Sequence, residues 1–160
     1  GQDMPGLVRY VARRGNPKIY MRYFGVDRPN LVGLRWQTIA TPPERPELAR
    51  AANESTQLLA VSNFFLVGNA PGPNPFEWLR TKKPVKVIGY TIHVFDITSD
   101  ADSHVGIAKM YESSPAVALV EVARALEIDP SHAEARRMLA ALSRASSRGS
   151  VLESKAPSAP

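Results

Sequence analysis

Residues 78–97 read Trp-Leu-Arg-Thr-Lys-Lys-Pro-Val-Lys-Val-Ile-Gly-Tyr-Thr-Ile-His-Val-Phe-Asp-Ile: a short amphipathic turn, a proline, then a stretch too apolar to face water. Read as one long strand, it places Val85 and Val87 on one face and Ile88, Tyr90, Ile92 and Val94 on the other, so both faces need cover. The interior strand of an α/β sheet meets that need. From Ser99 onward the pattern changes to a helical period. The sequence therefore joins an α/β unit to a run of helices.

With 160 residues, 44% of them apolar and 22% charged, the chain can bury one ordinary core and a small satellite. The absence of cysteine excludes disulfides, thiolate nucleophiles and Cys-based metal sites. No apolar run approaches the roughly 18 residues a membrane span needs, because residues 58–67 are broken by Ser62 and Asn63. The opening Gly-Gln-Asp lacks an initiator Met and a charged-then-apolar leader, so the segment is read as the C-terminal part of a longer protein.

The net charge of +5 is unevenly placed: residues 1–98 carry 13 Lys/Arg against 7 Asp/Glu, and residues 99–160 carry 7 against 8. The basic excess belongs to the α/β part. Arg13, Arg14, Lys18 and Arg22 form one group and Arg80, Lys82, Lys83 and Lys86 another, the kind of patch that attracts phosphates or anionic lipid, or simply solvates a basic surface. No Arg-rich recognition helix, RNA-binding aromatic motif or zinc finger accompanies them, which argues against nucleic acid.

Asp3 is placed to cap a helix that has Pro5 in its first turn, Leu7, Val8 and Val11 on its inner face, and its stop at Gly15. Residues 18–24 read as a strand, 31–39 as a short helix and strand, 41–55 as a proline-rich surface excursion, 58–67 as a second strand and 76–80 as a short helix. The order suits an α/β fold with a small, layered, mostly parallel sheet and flanking helices over residues 1–98. Helices are expected at 104–111, 115–128 and 131–143, forming an all-α extension over 99–146. The Ser/Ala/Pro-rich residues 147–160 have no periodicity and read as a disordered tail.

Taking Pro130 as the closing proline of a 34-residue unit puts Gly106, Ala118 and Ala125 where such a repeat needs small residues, and brings Leu139 and Ala140 into register in the next unit. With its Ala-Leu-Glu-Ile-Asp-Pro, this part resembles one tetratricopeptide repeat and the first helix of another. Asp102 and Lys109 depart from the pattern, each standing where an aromatic is usual. So short an array needs about three units to stand alone, so it leans on the α/β part or on a protein partner.

Tests for chemistry assign no catalytic residue, metal ligand or cofactor to this part of the chain. Asp100-Ala101-Asp102 could share a cation, but helix N-capping explains it more cheaply, and a calcium loop fails at Val105 and Tyr111. Residues 68–75 lie between strand and helix, where phosphates are cradled, yet Pro71, Pro73 and Pro75 remove the N–H groups the cradle needs. His93, His104 and His132 share no ligand or triad spacing, and His93 reads as a core or edge histidine.

Gly-Gln-Asp-Met-Pro-Gly-Leu at 1–7, Ile-Tyr-Met-Arg-Tyr-Phe-Gly at 19–25, Leu-Ala-Val-Ser-Asn at 59–63 and the 78–95 segment together resemble one family. It is the soluble C-terminal domain of bacterial membrane glycosyltransferases related to dolichyl-phosphate-mannose protein mannosyltransferases. The resemblance covers roughly residues 1–97. It implies an extracytoplasmic, periplasmic domain of the inner membrane that follows many membrane helices, in an enzyme taking sugar from a polyprenyl-phosphate carrier. The family's catalytic acidic residues lie upstream of this segment, so none transfers to it. Gln2 and Asp3 match the motif at the start of the soluble domain and, with Arg22, Lys82 and Lys83, are the candidates for contact with anionic lipid or carrier phosphate. The alternative is a soluble, cytoplasmic tetratricopeptide adaptor.

Overall fold

Strand β3 (Leu58–Ser62) is buried at every position and forms the middle of a five-stranded sheet. The computed structural model describes residues 3–25, 33–39, 55–68, 72–111 and 113–153. Around β3 the order is β2 (Trp36–Thr38), β1 (Ile19–Arg22), β3, β5 (Ile92–Asp96) and β4 (Lys86–Ile88). β1 runs parallel to β2 and β3, whereas β5 runs antiparallel to β3 and β4. The sheet is therefore mixed rather than mostly parallel.

The reversal comes from Gly89. Ile88 pairs with Ile92 across a loop of Gly89, Tyr90 and Thr91, so the stretch expected as one long strand is a hairpin. Gly89 has φ +55, a left-handed conformation that L side chains avoid, and a Cβ there would run into the Asp3 carboxylate. That carboxylate accepts from Tyr90 N (3.3 Å), Thr91 N (3.2 Å) and Thr91 Oγ1 (2.6 Å), so it closes the hairpin and makes no side-chain cap on its own helix. Because β4 is an edge strand, Val85 and Val87 stay exposed, and Tyr90 at the loop tip is 93% exposed.

Alternation along the strands gives the sheet two apolar faces. Leu58, Ala60, Ile19, Met21, Ile92 and Val94 pack under Met4, Leu7 and Val11 of α1 (Met4–Ala12). On the other face Tyr20, Leu59, Val61, Phe95 and Ile97 pack against Phe76, Leu79 of a 3-10 turn (Glu77–Leu79), Ile107 of α3 (Ala101–Met110) and Val117 and Ala118 of α4 (Pro115–Ile128). Sheet and helices make three layers. A satellite of small side chains, including Ala101, Val105 and Ala108 of α3 and Val122 and Ala125 of α4, meets Ala135 at the start of α5 (Ala133–Glu153). α5 extends through 147–153, the first half of the stretch read as an aperiodic tail; residues 154–160 lie outside the described ones. Most of the 41–55 excursion lies outside them too.

The stretch read as a strand over 58–67 also divides. After Ser62 the chain makes one helical turn, α2 (Asn63–Leu66), with Asn63 N donating to Thr91 O at 2.7 Å.

Gly89→Ala is expected to destabilise the fold by about 2–3 kcal/mol, from the left-handed backbone and the collision with Asp3. Asp3→Ala should cost about 1 kcal/mol because its hydrogen bonds are solvent-exposed. The double variant should lose less than the sum of the two singles, measured by urea unfolding; strict additivity would show that the two residues do not act together.

Candidate functional site

The parallel strands β1 and β3 end side by side, and the β4–β5 loop lies at that same end. There the chain places aromatics. Phe24, just after β1, stacks on Phe64 of α2 with centroids 4.1 Å apart and planes 12° from parallel, while Phe65 stands edge-on to both. The Phe24 N–H donates to Ser62 Oγ (3.0 Å), which fixes the first segment against the second. Phe24 is 61% exposed and Val67 58%, so with Tyr90 this end carries the largest exposed apolar groups near the start of α1. Tyr23 joins them, its phenol pKa raised by burial and by the charge of Asp3. The sequence reading missed the cluster because it ran β3 on through Phe64, Phe65 and Val67; the polar Ser62-Asn63 pair was the available signal.

The residues expected to contact lipid or phosphate divide. Gln2 lies outside the described residues. Asp3 holds the hairpin. The Arg22 guanidinium lies 4.8 Å from the Phe65 ring centroid and donates to Ile39 O (3.3 Å), so it supports the aromatic cluster from behind. Lys82 pairs with Asp100 at 2.6 Å, and Lys83 is exposed. Asp100 caps α3, accepting from Ser103 N (3.2 Å) and Ser103 Oγ (2.7 Å). Burial works to raise its pKa, but the bonds from Lys82 and Ser103 prevail and hold it below the usual aspartate value. Asp102 turns instead to His132 (3.0 Å). Among the described residues no three His, Asp or Glu side chains gather as metal ligands.

Of the small-residue positions, Gly106 lies against Trp78: a Cβ would sit 2.5 Å from the indole ring. Ala118 belongs to the sheet-facing core and Ala125 to the three-helix satellite, while Pro130, Leu139 and Ala140 are exposed. The two residues that depart from the repeat pattern both reach the start of α5, Asp102 through His132 and Lys109 through Glu134 at 3.2 Å. Between Trp78 and these pairs lies a groove of about 540 Å³.

A buried polar cluster, also missed, lies between the sheet and α3–α4. Glu121, 1% exposed, accepts from Tyr20 Oη (2.7 Å) and faces His104 Nδ1 (2.9 Å), while His104 Nε2 donates to Ile97 O (3.1 Å). Beside it Tyr111 donates to Thr38 O (2.6 Å) and accepts from Gln37 Nε2 (2.9 Å), and Lys18 donates to Gln37 Oε1 (3.0 Å). His104 is fully buried, and this cluster ties the layers together. His93 lies between Val61 and Val87 in the sheet, its pKa lowered by burial.

Scanned against protein-family models, curated proteins and solved structures, the chain matches no family model, no curated protein and no solved structure.

Burial pushes the Tyr111 phenol up to about 12 and raises that of Tyr20 further, with the Glu121 charge adding to both. Folded-state values above the unfolded one mean that this stabilisation is intact below about pH 10 and is lost as pH rises through the folded values. Of the five tyrosines, Tyr20 and Tyr111 should ionise only as the protein unfolds. Ultraviolet phenolate titration alongside circular dichroism checks this; all five ionising before any loss of structure would contradict it.

Proposed function

We propose that this chain is a non-catalytic accessory domain of a membrane glycosyltransferase that uses a polyprenyl-phosphate sugar, held at the extracytoplasmic face of the membrane, with α3–α5 forming one tetratricopeptide-like repeat and the first helix of another. The observation that carries this reading is the aromatic end of the sheet. Exposed Phe24 and Val67 follow the ends of β1 and β3, and exposed Tyr90 stands at the tip of the hairpin at that same end, which Asp3 holds where the family-like segment starts. Aromatic side chains with one wet and one apolar side partition to the bilayer interface, so this end suits a domain seated on lipid. The motif blocks that carry the resemblance also converge: Asp3 holds the 78–95 hairpin, and residues 19–22, 58–62 and 92–96 are neighbouring strands. No described helix is long and apolar enough to cross a membrane, so in this reading the spans belong to the part before Gly1.

The groove beside Trp78 favours a second reading, a soluble tetratricopeptide adaptor that recruits a protein partner through α3 and α5. Lys109→Glu should then abolish recruitment, whereas the transferase reading leaves lipid seating untouched by it.

The coding sequence upstream of Gly1 is expected to encode a series of membrane spans with an acidic residue pair in the first outward loop; its absence would remove the transferase reading. A Tyr90→Trp variant should show a blue-shifted indole emission on bilayer vesicles, and unchanged emission would count against seating through this end.

A further inference from the structure

One residue from each of the two basic groups, Arg13 and Lys86, meets the other at one place. Between α1 and β4 lies a cleft of about 280 Å³ whose lining includes Arg9, Tyr10 and Arg13 from the helix and Lys86 from the strand. In this cleft Gly6 lets helix and strand approach so nearly that a Cβ would meet Ile88 Cγ2 at 2.6 Å. Arg9, Arg13 and Lys86 are all exposed, and none has an acidic partner among the described residues. Arg9 and Arg13 are four apart on one helix face, a like-charge spacing that costs helix stability. Cations near a helix C-terminus are favoured by the dipole, which accounts for the two arginines. It does not account for a third cation brought in by another element. Tyr10 lines the same cleft, and Arg14 covers its ring 3.7 Å from the centroid, which brings a further cation close by.

We propose that this cleft binds a phosphate group, as a free phosphate or as the phosphate of a lipid headgroup. The anion neutralises Arg9, Arg13 and Lys86 together. The site stands on the cleft alone and holds under either reading of the whole protein.

The test is a titration of the 160-residue chain at low salt, followed by amide NMR, with inorganic phosphate in one arm and vesicles of phosphatidylglycerol or phosphatidylcholine in the other. Phosphate should shift the amides of α1 and of residues 86–89, and the response should saturate. Arg13→Glu with Lys86→Glu, both exposed positions, should weaken binding by at least about twenty-five-fold, near five-fold per cation removed, with the rest of the spectrum unchanged. A response to phosphatidylglycerol vesicles at the same amides, absent with phosphatidylcholine, identifies a headgroup source; a response to phosphate alone identifies a soluble one. No shift at these residues in either arm, or a shift that survives the double substitution, overturns the proposal.

Discussion

Glu121 is a carboxylate set into an apolar interface, and its two oxygens are satisfied from two different elements, Tyr20 on β1 and His104 on α3. A buried polar group left without hydrogen-bond partners costs about 1–3 kcal/mol, so the interface is held where the three side chains meet. His104 extends the tie to the end of β5 through Ile97 O, and Tyr111 adds a second tie to β2 through Thr38 O. These directional bonds fix how α3 and α4 lie across the sheet, a register that apolar packing alone leaves loose. The helices that follow residue 100 thus complete the second face of the sheet.

That closure determines what is left for recognition. α1 covers one face and α3–α4 the other, so exposed apolar and unpaired basic groups gather at the strand ends and along the β4 edge. The aromatic end and the α1–β4 cleft lie on either side of the hairpin that Asp3 holds. Both surfaces depend on the turn at Gly89, which places Tyr90 at one and Lys86 at the other.

Much of the secondary structure was legible in sequence, because α1, β1, α3 and α4 carry a clear period, with stops at Gly15 for α1 and Asp129-Pro130 for α4; α5 carries no stop signal and runs on to Glu153. The hairpin was not. Alternation of apolar residues continues across Gly89, and a period-two pattern looks the same whether the chain runs on or turns back. Ser62-Asn63 interrupts an apolar run, yet its meaning as a strand end depends on Thr91, some thirty residues away. Gly106 was picked out as a point of close approach, but sequence spacing could not name Trp78 as the neighbour. The buried Tyr20, His104 and Glu121 carry no local signature, since only the fold brings them together. The basic groups were visible as charge, while the pairing of Arg13 with Lys86 in one cleft required the packing of α1 on β4.

The central claim, that the sheet and the α3–α4 pair fold as one unit tied at Glu121, is tested most directly by native-state hydrogen exchange. Amides of β1, β3, β5, α3 and α4 should share a single opening free energy equal to that of global unfolding, and Glu121→Ala should lower all of them together. Exchange of α3 and α4 through a separate, lower-energy opening that leaves the sheet protected would contradict it.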